Sequence, residues 1–331
     1  MRGRRVLITG AGGFTGRHAV NYFVQKGAAV TAVLRQQIRP GDLALPLFPD
    51  GVQVYICELS DRQAVARMVG ETAPDEILHL AGKNSVPESW ENPLLYMETN
   101  VMSTLYLLEA ARSNPSIRVL VAGSGLKYRI GTALPPHPYS LTKTLEELVS
   151  LAWGTLFKQQ ILLAEPCNLM GPGPSTGFCS LLAEHIIRSE RGEPRPPFKL
   201  SSRLTLRDFL DVRDAVKAYE RILEKGQNGT IYRIGSGEQR KLGEIAERLL
   251  QLSGAPIPMD WGPDPEGVGG STPAPSPSSP NRVRDSIPVS GRAVPLEVDA
   301  ADLGWQAEIP LDRSLSDIMD YFRSGTGGGI R

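Results

Sequence analysis

The chain has 331 residues, with 36 Lys plus Arg balanced by 36 Asp plus Glu and no formal net charge at pH 7. That length buries a sizeable core and fits one large domain plus a lobe, while the charge balance gives no reason to expect nucleic acid or an acidic membrane surface as partner. No run approaches a membrane span, and Cys57, Cys167 and Cys179 lie far apart without metal-ligand spacing, so they read as free thiols in a reducing cytoplasm.

Arg2, Arg4 and Arg5 precede an apolar stretch, Val6 to Ile8, that is too short for a signal sequence and reads as a first strand. The strand ends at Thr-Gly-Ala-Gly-Gly-Phe-Thr-Gly, residues 9–16, and a helix follows over roughly Phe14 to Lys26. Gly10, Gly13 and Gly16 have the spacing of a tight turn that lets backbone approach a pyrophosphate and lets helix pack closely on strand. The amides and dipole of the helix N-terminus then point at the phosphates. A glycine-rich turn is often only a turn, but a buried strand before it and a helix after it are the context that dinucleotide binding requires.

Short runs rich in Val, Ile and Leu recur at Ala28 to Leu34, Val52 to Cys57, Glu76 to Leu80, Arg118 to Ala122 and Gln160 to Glu165. Helical patterns fill the gaps at Asp61 to Val69, Pro93 to Arg112 and Tyr139 to Phe157. This alternation predicts an α/β fold, a Rossmann-type doubly wound parallel sheet with helices on both faces. His79 ends one of these strands and reads as a satisfied structural residue rather than a ligand. Residues 1–165 are expected to form the dinucleotide-binding domain, with part of 205–240 returning to it. Residues 166–323 are expected to form mainly a smaller C-terminal substrate-binding lobe. After Pro166 the pattern loosens into a Gly-Pro-Gly-Pro loop at 171–174, a helix near Ser180 to Arg191, a Gly/Pro/Ser-rich loop at 263–280 and a last helix near Leu311 to Phe322.

Tyr139 and Lys143 stand four apart, so on a helix they share a face and the ammonium sits near the phenol. A positive charge there favours phenolate and brings the tyrosine toward the working range of a general acid or base. Ser124 follows the strand Arg118 to Ala122, at the carboxyl edge where a parallel sheet presents ligands, and its hydroxyl can hold a reacting oxygen beside the phenol. The Tyr-x-x-x-Lys pair alone occurs on many amphipathic helices. Its order after a glycine turn and a strand leading to serine makes it informative.

Several motifs in this order resemble the extended short-chain dehydrogenases/reductases, in the branch that modifies sugar nucleotides. They are residues 9–16, His-Leu-Ala-Gly at 79–82, Asn100 in Thr-Asn-Val-Met-Ser-Thr, Leu-Leu-Glu-Ala-Ala-Arg at 107–112, Tyr-Ser-Leu-Thr-Lys at 139–143 and Arg-Asp-Phe-Leu-Asp-Val-Arg-Asp at 207–214. Within that family, Pro166 to Phe178 and the Arg-Asp-Phe box are similar to the corresponding segments of GDP-4-keto-6-deoxy-mannose reductases. The resemblance implies Ser124, Tyr139 and Lys143 as catalytic residues. It implies a cofactor held by Gly10, Gly13, Phe14, Thr15, Gly16, Arg35, Glu58, Leu59, Leu80, Ala81, Gly82, Tyr139 and Lys143. A sugar diphosphate would meet Lys83, Ser85, Asn168 and Arg207, with Arg282 reaching it from the C-terminal lobe, although a solvated arginine is an equal reading of Arg282. A homodimer paired through the long helices is a further implication.

Family dehydratases carry an acidic pair just after the catalytic serine or threonine, whereas this chain has Gly125 and Leu126, which transfer no proton. Hydride transfer at a sugar carbon remains, either as a reduction that releases product or as an epimerisation that returns the hydride to the other face. Arg35, after the second strand, favours a 2′-phosphate by charge, which points to NADP(H) with NAD(H) possible; Arg39 is a second candidate. Two departures from the family, Arg129 after Tyr128 and the absence of an acid in Ala133 to His137, mark altered substrate choice or impaired catalysis. A non-nucleotide ketone as substrate, or a non-catalytic member of the fold, stay open as alternatives.

Overall fold

A computed structural model describes residues 3–37, 47–131, 134–254, 256–262 and 296–325. Arg39, Arg282 and the Gly/Pro/Ser-rich segment 263–280 lie outside the described residues.

The elements follow the chain as β1 (Arg5–Thr9), α1 (Phe14–Gln25), β2 (Ala29–Leu34), β3 (Gln53–Ile56), α2 (Arg62–Thr72), β4 (Glu76–His79), α3 (Val86–Glu91) and α4 (Pro93–Tyr96). A π-helical turn, Met97–Met102, leads into α5 (Ser103–Ala111), then β5 (Arg118–Ala122), α6 (Pro138–Phe157), β6 (Gln160–Pro166) and β7 (Asn168–Met170). The remainder comprises α7 (Phe178–Glu190), β8 (Phe198–Lys199), β9 (Leu206–Asp211), α8 (Val212–Lys225), β10 (Thr230–Ile234), β11 (Gln239–Lys241), α9 (Leu242–Gln251), β12 (Met259–Asp260), β13 (Leu296–Asp299) and α10 (Leu311–Arg323).

Eight strands form one sheet in the order β13-β10-β6-β5-β4-β1-β2-β3, with every pairing parallel. Alternation along each strand fills both faces. Val6 and Ile8 of β1 join Ala19, Val20 and Phe23 of α1 and Tyr219 and Ile222 of α8 on one side. Leu7 joins Val65 and Met68 of α2 and Leu107 and Leu108 of α5 on the other. Both faces of a parallel sheet are covered in this way, and its strands read as near-continuous apolar runs for that reason. The strand order reverses between β4 and β1, and the crevice at their carboxyl ends is the switch point where such sheets bind ligands.

The smaller sheet, β11-β9-β7, carries a separate core in which Met170 and Phe209 pack with Leu182 and Ile186 of α7, Ile245 and Leu249 of α9 and Leu315 and Ile318 of α10. The large sheet takes in β10, at 230–234, and β13, at 296–299.

One expected element differs in kind. The helical pattern Pro93 to Arg112 is interrupted by the π-helical turn at Met97–Met102. The widened turn seats the fully buried Asn100 between two neighbouring segments: its Oδ1 accepts from Lys83 N at 2.8 Å, and its Nδ2 donates to Lys83 O and to Thr142 Oγ1 at 3.0 Å. Single π turns inside α-helices are frequent at functional sites.

Candidate active site

The glycine turn after β1 is built for close approach. Gly10 has φ +65, and a Cβ there would stand 2.7 Å from Ala81 N, against the backbone that follows β4. At Gly16 a Cβ would collide with the Gly10 carbonyl and with Ala11, so α1 can begin this near the turn only with glycine at that position. Gly13 serves as N-cap of α1 without a side chain, and its amide donates to Gly10 O at 2.9 Å. A turn that side chains would fill, followed by open helix amides, fits the phosphates of a dinucleotide. Phe14 and Thr15 open the helix, and the Phe14 ring packs against Gly173 of the Gly-Pro-Gly-Pro loop. That contact brings the loop to the turn, and His18 Nε2 lies 2.8 Å from Pro172 O beside it.

Arg35 is exposed directly after β2, while Gly12 of the turn approaches Leu34 of that strand. Glu58 is exposed after β3, where its carboxylate accepts from Ser60 N, and Leu59 packs into the core cluster on the α2 face. Leu80, Ala81 and Gly82 line the exit of β4, with Ala81 N donating to Thr9 Oγ1 at 3.3 Å.

Helix α6 starts with Pro138 in its first turn and His137 as N-cap, whose Nδ1 accepts from Ser140 N at 3.0 Å. This start places Tyr139 in the first turn and Lys143 one turn on. Tyr139 is 5 % exposed, stacked on His137 with ring centroids 6.0 Å apart and met edge-on by Tyr96. Lys143 is 6 % exposed; its Nζ donates to Ala122 O at 2.7 Å and forms an ion pair with Glu146. Burial disfavours the ammonium, but the charge of Glu146 and its hydrogen bond outweigh it and hold Lys143 above the usual lysine value. Ser124, two residues beyond β5, accepts from Leu126 N through its Oγ at 3.1 Å, which leaves the hydroxyl hydrogen to donate. The Lys143–Ala122 bond ties α6 to the strand that carries Ser124.

On the side of the smaller lobe, Asn168 faces Phe209 in the β7–β9 register, and Arg207 lies two residues before Phe209 on the same face. Asn168 Nδ2 donates to Asp208 O at 2.9 Å, and Arg207 Nη1 to Leu206 O at 2.8 Å. Two of the expected substrate contacts have local duties. Ser85 caps α3 through a bond from Glu88 N, and Lys83 pairs with Glu88 at 2.5 Å.

Three residues of the site carried no role in the sequence reading. His137 has the only ring stacked parallel to Tyr139 among the described contacts, and its place just before a helix-starting proline was its signal. Asn100 appeared only within a motif, and Glu146 had no sequence signal beyond its spacing from Lys143. His79 is the structural residue expected: its two ring nitrogens bond Thr9 and Thr104 at 2.7 and 2.9 Å, and burial pushes it down to about 3, so it stays neutral.

A sequence profile of the NAD dependent epimerase/dehydratase family matches residues 6–235, more than half of the chain and including the glycine turn and the Tyr139–Lys143 pair. The chain belongs to this family. The relation extends over its whole length to the GDP-6-deoxy-D-mannose reductase of Pseudomonas aeruginosa, which is 28 % identical over 97 % of this chain and 98 % of the relative. Among solved structures, RMD from P. aeruginosa in complex with NADPH superposes with a TM-score of 0.71 at 24 % identity, covering 98 % of each chain. The Thermus thermophilus UDP-glucose 4-epimerase in complex with NAD does so with a TM-score of 0.74 at 22 % identity, covering 96 % of this chain and 99 % of that one. These superpositions establish the fold. The chain is thus a nicotinamide-nucleotide enzyme of the extended short-chain dehydrogenase/reductase type, among reductases and epimerases of nucleotide sugars. No helix among the described residues is long and apolar enough to cross a membrane.

Proposed function

We propose that the chain reduces a nucleotide-linked 4-keto-6-deoxy sugar of the GDP-4-keto-6-deoxy-mannose kind to the 4-hydroxy sugar, with NADPH as reductant. One observation supports this reading: Lys143, one helical turn after Tyr139 on α6, donates to Ala122 O at the carboxyl edge of β5, two residues before Ser124, while Gly125 and Leu126 hold the positions where family dehydratases keep their proton-transferring acids. The full-length similarity to a reductase agrees with it.

The glycine turn from Gly10 to Gly16 and the start of α1 would hold the cofactor's pyrophosphate, and Leu80 to Gly82 its central part. Exposed Arg35 would meet a 2′-phosphate, whose charge a guanidinium grips in a bidentate manner. When bound, such a cofactor supplies hydride to the carbonyl carbon. Ser124 donates a hydrogen bond to the keto oxygen, and Tyr139 gives that oxygen its proton as the carbon–oxygen double bond becomes a single bond. Lys143 supports the phenolate left behind, which regains a proton from solvent. Asn168 and Arg207, on one face of the smaller sheet, would hold the substrate diphosphate. Exposed Trp90, Leu94, Met102 and Leu148, on the segments from α3 to α6, support pairing of two copies through these helices, which sedimentation of the intact chain would register as a dimer.

The experiment mixes the chain with freshly made GDP-4-keto-6-deoxy-mannose and follows reduced-nicotinamide absorbance with NADPH and with NADH. Loss that depends on substrate and is faster with NADPH supports the proposal. Conversion of a 4-hydroxy nucleotide sugar without added cofactor would instead identify an epimerase.

A further inference from the structure

We propose that Lys127 is a positioning residue: together with Glu147 and Glu165 it clasps the turn that carries Ser124 and fixes that turn against α6. This deepens the proposed reduction and rests on the reading of Ser124 as hydrogen-bond donor to the keto oxygen.

The chain runs on past the end of β5 without leaving its neighbour. Gly123 N donates to Ala164 O at 2.7 Å and Gly125 N to Pro166 O at 3.4 Å, so the bonds to β6 continue and Ser124 stands between them. A turn follows at once, in which Lys127 N donates to Ser124 O at 3.2 Å and Leu126 N to Ser124 Oγ at 3.1 Å. One turn of α6 grips this segment at both ends. Lys143 Nζ donates to Ala122 O where the segment begins. Where it ends, Tyr128 N donates to Thr144 Oγ1 at 3.1 Å, and Glu147 meets the Lys127 ammonium.

Lys127 closes the clasp from inside. Its side chain is 6 % exposed, and its ammonium lies 2.5 Å from Glu147 of α6 and 2.5 Å from Glu165 of β6, acids that are themselves 16 % and 15 % exposed. One ammonium thus joins three pieces of chain: the Ser124 turn, the helix above it and the strand beside it. Burial disfavours the charge, but the two carboxylates outweigh it and hold Lys127 above the usual lysine value. The neighbouring cations have acids of their own, Lys143 with Glu146 and Arg129 with Glu297, which leaves Glu147 and Glu165 to Lys127.

Stability alone gives a poor reason for such a cluster, because three charges lose their hydration on burial. What it supplies is a fixed place for the turn between two elements. A hydroxyl that must meet a reacting oxygen needs that fixity, since a displacement of about 1 Å can cost on the order of 10²-fold in rate.

The test combines hydrogen exchange with kinetics on the full chain. In the resting protein, without substrate or cofactor, Lys127→Met should speed amide exchange over residues 123–128 by about tenfold and leave the amides of β1 and β4 unchanged. With NADPH and GDP-4-keto-6-deoxy-mannose, Ser124→Ala should lower kcat by about 10²-fold. Lys127→Met should lower kcat by about tenfold or more, with KM and the NADPH dissociation constant within about twofold of wild type. The double variant is decisive: with no hydroxyl left to place, Lys127→Met should add less than about twofold to the loss from Ser124→Ala. Unchanged exchange over 123–128 would overturn the proposal whatever the substrate proves to be. Losses that multiply in full, or a loss confined to KM, would overturn it by leaving Lys127 a purely structural role. Ser124→Ala with wild-type turnover would defeat the reading of Ser124 and the proposal with it, an outcome told apart because it shows in the single variant. Should Lys127→Met fail to fold, Glu147→Gln decides by the same measurements, since it keeps the Lys127–Glu165 pair and cuts only the tie to α6.

Discussion

Tyr139 is held more firmly than a surface tyrosine on an amphipathic helix would be. It is buried between the rings of His137 and Tyr96, at the start of a helix tied to β5 by Lys143. Replacing it with Phe keeps the ring contacts and removes the proton. Turnover should fall by roughly 10²–10⁴-fold, the usual contribution of general acid catalysis, while NADPH binding measured by fluorescence titration stays within about twofold of wild type. A large loss of cofactor affinity in that variant would mean that the phenol serves binding rather than proton transfer. Much of this was legible in the sequence, since four-residue spacing on a helix needs no tertiary information to place two side chains on one face. The partner of Lys143 was not. Glu146 is one of two consecutive acids, and only the packing of α5 against α6 decides that it turns inward while Glu147 meets Lys127.

At the element scale, Asp211 joins three elements. It ends β9, caps α8 by accepting from Arg213 N, and takes a hydrogen bond from Ser314 of α10 at 2.6 Å. Burial alone would raise its carboxyl, but the bonds from Arg213 and Ser314 hold it below the usual carboxylate range. A carboxyl depressed in the folded state contributes stability that is fully present above its unfolded value, near 3.9, and lost as pH falls through the folded value. Asp211→Asn should therefore cost about 1–3 kcal/mol near neutral pH. Its urea midpoints should also decline less steeply than those of wild type on acidification below about pH 4. Equal slopes for the two chains would remove Asp211 from the acid response. The elements that sequence periodicity found best were the buried strands of the large sheet, whose apolar runs leave little ambiguity. It missed β9, α8 and β10 as elements because their apolar residues are interleaved with Arg, Asp and Glu that meet partners far away in sequence, such as Lys217 with Glu308. The π turn at Asn100 left no trace in periodicity either, since one widened turn hardly displaces a helical stripe.

At the scale of the whole molecule, the proposed function has a doubly wound sheet offer its switch point to a dinucleotide while a second sheet, carrying Asn168 and Arg207 on one face, meets the substrate. The close approach at the glycine turn was readable from sequence, because only a residue without a side chain can lie so near Ala81. The second half came from resemblance, since nothing local in Asn168 or Arg207 announces a diphosphate. Cofactor choice is a test at this scale, because it depends on how β2 and the glycine turn meet. Arg35→Glu should weaken NADPH by about 1–3 kcal/mol, the range of a lost charge-assisted contact, and leave NADH nearly unchanged in paired binding titrations. Equal losses for both cofactors would show that Arg35 does not read the 2′-phosphate. Net hydride delivery to a sugar carbonyl, with Tyr139 supplying the proton, is open to a direct test with NADPH deuterated at the transferring position and a 4-keto-6-deoxy nucleotide sugar. Each NADPH consumed should leave one deuterium on the former carbonyl carbon of the product. Product formed without deuterium, or cofactor left unconsumed while the sugar changes configuration, would contradict it.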